Sequence, residues 1–193
     1  IEVPASWANA EGEKAVSEIT GDRKDLVDFV NNILVPVNAQ QGDRLPVSTF
    51  VKDADGTFPQ GSAAYEKRGI AVTVPEWNSE NCIQCGFCSY VCPHAVIRLT
   101  ALTEDEAAKA PSVMKTAAMT GVPGMKFSVI VSPLDCTGCG SCAQVCPGKK
   151  GEKALSMKVL DSQLPQQEAF NYAIELPEKP EVAAKFKDTT VKG

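Results

Sequence analysis

With 193 residues, the chain has room for one sizeable domain, or for one small domain with attached segments. Hydrophobic residues at 44% and charged residues at 22% exclude a disordered chain, and no apolar run nears the roughly 18 residues of a membrane span, so no membrane partner is expected. A net charge of −5, from 19 basic against 24 acidic residues, argues against nucleic acid as a partner held by global basicity.

The chain opens Ile1-Glu2-Val3-Pro4-Ala5-Ser6, with neither an initiating Met nor the basic and apolar pattern of a leader. It reads as a soluble piece from the interior of a longer chain. Asp22-Arg23-Lys24-Asp25 offers an N-cap, and Leu26, Phe29 or Val30, Ile33 and Leu34 follow at helical spacing. A helix from about Arg23 to Leu34, stopped by Pro36, is predicted. A turn-rich stretch comes next (Gly42-Asp43, Leu45-Pro46, Asp55-Gly56, Pro59-Gln60-Gly61), with a strand expected near Val47 to Val51. Glu66-Lys67-Arg68 reads as a salt-bridged connector, with an anchor for phosphate or another domain as the alternative.

An internal duplication follows. Cys82, Cys85, Cys88, Cys92 and Cys136, Cys139, Cys142, Cys146 both read C-x2-C-x2-C-x3-C-P, and a shift of 54 carries one set onto the other. The same shift maps Gly86 onto Gly140 and Val91 onto Val145. β-Branched runs flank each set: Ala71–Val74 and Val96–Leu102 around the first, Phe127–Val131 and Ala154–Leu160 around the second. Each unit is then strand, Cys loop, a helical turn or two, strand. The fold class is α+β, a bacterial dicluster ferredoxin-type core with a pseudo-two-fold repeat over 78–160. A helical and irregular segment, 1–77, precedes it, and an extended C-terminal strap, 161–193, follows. The excess length between the sets, 103–126, opens on Thr103-Glu104-Asp105-Glu106, a capping-box pattern. This insertion is either an elaborated surface loop over a cluster or a docking surface for another domain.

Eight thiolates suit iron–sulfur clusters or structural zinc, and the single His, His94, excludes any centre that needs two imidazoles. Spacing favours iron–sulfur. Zinc ribbons use two C-x2-C pairs with a longer loop between, whereas three Cys at two-residue gaps wrap three corners of a cubane. The run is that of bacterial two-cluster ferredoxins, in which the fourth Cys ligates the other cluster. On this pattern one 4Fe–4S cluster takes Cys82, Cys85, Cys88 and Cys146, and the other takes Cys136, Cys139, Cys142 and Cys92. Zinc and disulfides remain the alternatives. Gly86 and Gly140 free the backbone to turn; Ile83, Val91 and Val145 are expected as an apolar shell; His94 reads as a surface or neighbouring residue, with a redox-linked proton site as the other possibility. The core has six acids and eight bases, a surplus that compensates cluster charge.

A longer context is more specific. Leu45-Pro46-Val47-Ser48, Asp55-Gly56-Thr57-Phe58-Pro59, Ala64-Tyr65-Glu66-Lys67-Arg68-Gly69 and Val74-Pro75-Glu76-Trp77, leading into Asn81-Cys82, resemble the pyruvate:ferredoxin (flavodoxin) oxidoreductase family. The resemblance implies an electron relay. The family decarboxylates pyruvate on thiamine diphosphate with Mg and passes electrons through three 4Fe–4S clusters to ferredoxin or flavodoxin. This chain would hold the two clusters farther from the thiamine, in contact with other domains of the same protein and in the cytoplasm. It implies further that the chain alone does not turn over pyruvate, having no catalytic residue of its own. An independent dicluster electron carrier and a cluster-free interaction module are the competing readings.

Overall fold

The computed structural model describes Ala5 and residues 18–191. The rest of the opening stretch, on which the expectation of an interior piece rests, lies outside the described residues. The chain divides between Lys67 and Arg68 into two compact units.

The first unit is built on one helix. α1 (Lys24–Phe29) runs through a π-helical stretch, Val30–Leu34, into α2 (Val35–Asn38). The helix therefore passes Pro36 rather than stopping before it. The widened turn explains this: Val35 N–H reaches back to Val30 O, and such a bulge relieves the clash between a proline ring and the preceding turn. The expected side-chain N-cap does not form; Arg23 occupies the capping position and pairs with Asp25 at 2.7 Å instead. Leu26, Phe29, Val30 and Ile33 are buried together, with the Phe58 ring 5.0 Å from that of Phe29. Val47–Asp53 is a 3-10 helix, not the strand expected from its β-branched residues. With Val47 and Val51 largely exposed and no ladder beside them, propensity has nothing to pack on, and a turn starting at Pro46 wins.

In the second unit, β1 (Thr73–Trp77) pairs antiparallel with β5 (Leu155–Val159), while β2 (Ile97–Leu102), β4 (Lys126–Val131) and β3 (Ala117–Ala118) form a second antiparallel sheet in the order β2-β4-β3. β1 continues through Pro75, where the sequence suggested an end. Leu160 N–H bonds to Val72 O and Asn78 N–H to Ala154 O, so the even-numbered residues of β1 carry the ladder and the Pro75 nitrogen points away from β5. Short helices α3 (Phe87–Tyr90) and α5 (Ser141–Val145) each begin one residue before the third Cys of their set. α4 (Glu104–Lys109) starts on the expected box: Glu106 N–H donates to Thr103 Oγ1 at 3.2 Å and Thr103 N–H to Glu106 Oε2 at 2.8 Å.

β4 is covered on both faces. Phe127, Val129 and Val131 face a core with Trp77, Val96, Ile97 and Leu155 that includes Cys136 and Cys142 and against which Cys82, Cys88, Cys92 and Cys146 pack. Ile130 faces a second cluster with Leu102, Met114 and residues Ala169, Phe170 and Ala173. Those last three belong to the tail, which holds α6 (Leu160–Gln163), α7 (Gln166–Ile174) and α8 (Pro180–Ala183). The C-terminal stretch is thus helical and packed rather than an extended strap. Its prolines sit before or at the start of these helices, where they are compatible with helix, and the apolar residues between them cover the open face of β4.

Candidate metal centres

Gly86 and Gly140, at φ +80° and +76°, cap α3 and α5 in the left-handed region, so each Cys loop turns sharply into its helix. The third Cys of each set, Cys88 or Cys142, then rides the first helical turn, and the fourth, Cys92 or Cys146, falls just beyond it. That step of four residues is about one turn, so it carries the fourth side chain to a different place from the first three.

The structure brings the eight thiols together in two groups. One small cavity has Cys82, Cys85, Cys88 and Cys146 in its wall, backed by Trp77, Leu99, Phe127 and Leu155. A second has Cys92, Cys136, Cys139 and Cys142, backed by Pro75, Val96, Ile97 and Met157. Each therefore combines three cysteines of one repeat with the fourth of the other. Among the described residues no group of three or more His, Cys, Asp or Glu side chains is placed to hold a single metal ion. Four thiols around each cavity would hold a polynuclear cluster.

Backbone N–H groups point at the sulfurs: Gln84 to Cys82 at 3.3 Å, Gly138 to Cys136 at 3.4 Å and Ala154 to Cys146 at 3.3 Å. Such donors stabilise negative charge on sulfur. Burial pushes the Cys88 thiol up to about 12 and the Cys142 thiol up to about 11, and raises Cys136 as well. Cys139 is exposed, and bonds from the Ser141 backbone and hydroxyl lower its thiol. Buried thiols of this kind become thiolates only against a compensating cation, which iron supplies. Trp77, 4% exposed, lines the first cavity and also a small one beside Met114, Lys115 and Ser128, and its Nε1–H has no protein acceptor. The donor set and the cavities both fit 4Fe–4S clusters.

Not every expected shell residue is in place. Ile83 lines the first cavity although it is 49% exposed, whereas Val145, 38% exposed, lines neither; the buried part of the first wall is made by strand residues such as Trp77, Leu99, Phe127 and Leu155. His94 is exposed and lines the second cavity. Sequence reasoning missed two further residues. Lys153 donates to the carbonyls of Ala143 and Gln144 at 2.6 and 3.0 Å, closing the C-terminus of α5 beside Cys146. Gln84 is buried within the first Cys loop, and its one signal was its alignment with Gly138 in the repeat.

Residues 81–150 match the 4Fe–4S dicluster domain family, and residues 16–71 match the EKR family, a domain of unknown function. The chain carries a 4Fe–4S dicluster domain. It is 48% identical over 196 aligned positions to the pyruvate:ferredoxin oxidoreductase of Moorella thermoacetica and 46% identical over 193 to the pyruvate-flavodoxin oxidoreductase of Enterobacter agglomerans. Both alignments take in 100% of the chain and 16% of the relative. Mitochondrial pyruvate dehydrogenase (NADP+) of Euglena gracilis is 41% identical over 181 residues, 93% of the chain and 9% of that protein. The chain is homologous to one part of the pyruvate:ferredoxin (flavodoxin) oxidoreductases, spanning about one sixth of their length. Among the described residues no helix is long and apolar enough to cross a membrane.

Proposed function

We propose that this chain is the two-cluster electron relay of a pyruvate:ferredoxin or pyruvate:flavodoxin oxidoreductase. One cluster is held by Cys82, Cys85, Cys88 and Cys146, the other by Cys136, Cys139, Cys142 and Cys92. The observation that carries this reading is the composition of the two cavities, each walled by three cysteines of one repeat and one of the other. The pairing of β1 with β5 and of β2 with β4 supports a pseudo-two-fold core, since each pair joins a strand before one Cys loop to the strand after the other.

When bound, each 4Fe–4S cluster supplies a one-electron couple. The protein's own residues hold and tune those couples. Thiolates fix the two sites, and the stretches Cys88–Cys92 and Cys142–Cys146 each reach from one site to the other in about one helical turn. N–H donors to Cys82, Cys136 and Cys146 stabilise the extra negative charge of reduction. Trp77, Phe127, Ile97 and Leu155 keep water from the buried sides. Pyruvate, thiamine diphosphate, Mg and a third cluster then belong to other parts of the protein. Relatives named for ferredoxin, flavodoxin and NADP+ all match this stretch.

Anaerobic reconstitution tests this directly. The chain should take up about eight iron and eight labile sulfide, and after chemical reduction it should pass electrons to ferredoxin or flavodoxin. Stoichiometric zinc without sulfide would refute the reading.

A further inference from the structure

The repeat breaks at one informative position. Gln84 of the first Cys loop corresponds, by the shift of 54, to Gly138 of the second. Both adopt the left-handed backbone, at φ +58° and +73°, and both donate N–H to the first sulfur of their loop. Gly138 is where glycine is needed: an added Cβ there would lie 2.9 Å from Thr73 O. At 84 the chain carries a long side chain in a conformation that L-residues avoid, which is strain the fold must offset.

The offset is visible. Gln84 is 5% exposed, and its amide is used at both ends. Nε2 donates to Ala118 O at 2.8 Å, and Oε1 accepts from Thr120 N–H at 2.9 Å. Both partners lie on the β3–β4 hairpin, which belongs to the insertion present only between the two sets. This hairpin carries Phe127, opposite Ala117 in the ladder, into the wall of the first cavity, and Met119 packs on the same core. The insertion is therefore fastened to the Cys82–Cys85 loop from inside that loop.

We propose that Gln84 is a positioning residue that holds the β3–β4 hairpin over the first cysteine loop and thereby sets the solvent access, and through it the reduction potential, of the cluster at Cys82, Cys85, Cys88 and Cys146. This rests on the relay reading for the cluster, but not for the hairpin itself. Water near an iron–sulfur cluster stabilises the added electron, so a loosened hairpin raises the potential of that cluster alone.

The test compares Gln84→Gly, which removes the amide and the strain together, with Gln84→Glu, which keeps an acceptor for Thr120 but no donor for Ala118. In Gln84→Gly the Thr120 amide should exchange with deuterium about tenfold faster or more, as expected for losing two buried hydrogen bonds together. One of the two potentials should rise, and a chelator should release half of the iron faster while the other half keeps its wild-type rate. Gln84→Glu should give Thr120 exchange between wild type and Gln84→Gly, while its added negative charge lowers the potential of the first cluster rather than raising it. Loss of only the first cluster on reconstitution counts for the proposal. Wild-type potentials and exchange in Gln84→Gly, or equal effects on both clusters, overturn it. If wild-type chain binds no clusters, the relay reading fails while Thr120 exchange still decides whether Gln84 holds the hairpin.

Discussion

Phe127 and Ile97 offer a matched pair of perturbations that separates the two sites. Each is 1% exposed, and the two stand in different cavity walls, Phe127 in that of Cys82, Cys85, Cys88 and Cys146, Ile97 in that of Cys92, Cys136, Cys139 and Cys142. Truncating a buried Phe to Ala costs about 3–5 kcal/mol and a buried Ile about 2–5 kcal/mol. About 1 kcal/mol of the Phe127 loss is its edge-on contact with Trp77, with ring centroids 6.1 Å apart. Against a domain stability of about 5–15 kcal/mol both variants should still fold. The similar global losses are the control, because the local consequences differ. Phe127→Ala opens space continuous with the first site and Ile97→Ala with the second. Under anaerobic challenge with an iron chelator, each should release about half of its iron in a new fast phase, the other half staying slow. Cluster-specific paramagnetic resonance should show that different clusters are lost. If both variants lose both clusters at equal rates, global unfolding governs release and the division into two walled sites is wrong.

Ligand variants probe the same division: Cys146→Ala should damage the cluster held by Cys82, Cys85 and Cys88, and Cys92→Ala the one held by Cys136, Cys139 and Cys142. Loss of the sequence-local cluster in each, read by iron content and paramagnetic resonance, would refute the crossed assignment. Trp77→Phe keeps an aromatic ring beside Phe127 but removes the indole N–H together with part of the ring volume; a lower potential of the first cluster would assign the N–H to it, and an unchanged or raised potential means the N–H does not serve it. Burial alone would raise the Glu106 carboxyl, but the bonds from Thr103 and from Lys179, at 3.0 Å, outweigh it and hold the group below its ordinary 4.5. A lowered folded value means the contribution is complete above 4.5 and fades as pH falls through the folded value. Glu106→Gln should therefore lose about 1–3 kcal/mol in urea unfolding at pH 7, and the gap should close as pH falls below 4.5, whereas a gap that widens in acid would contradict the pairing.

Much of the chemistry was legible in the chain itself. Thiolate count and spacing name the metal type, and the shift of 54 between the sets declares two equivalent sites, because ligand identity and short loop lengths are local properties. The capping box at Thr103 and the strands beside each Cys set were legible for the same reason. The N-terminal helix was read too short, since a widened turn that admits Pro36 depends on its Val35–Val30 bond rather than on propensity. Val47–Asp53 was misread because β-branched residues make a strand only where another strand offers a ladder. The tail looked like a strap from its prolines, yet Phe170 and Ala169 bury against Ile130 and Leu102, partners far away in sequence. Tertiary structure alone revealed Gln84 bridging to Ala118 and Thr120, Lys153 closing α5, and Trp77 with an unused N–H at a cavity wall. Each of these depends on segments that meet only when the sheets form, and spacing along the chain carries no record of such meetings.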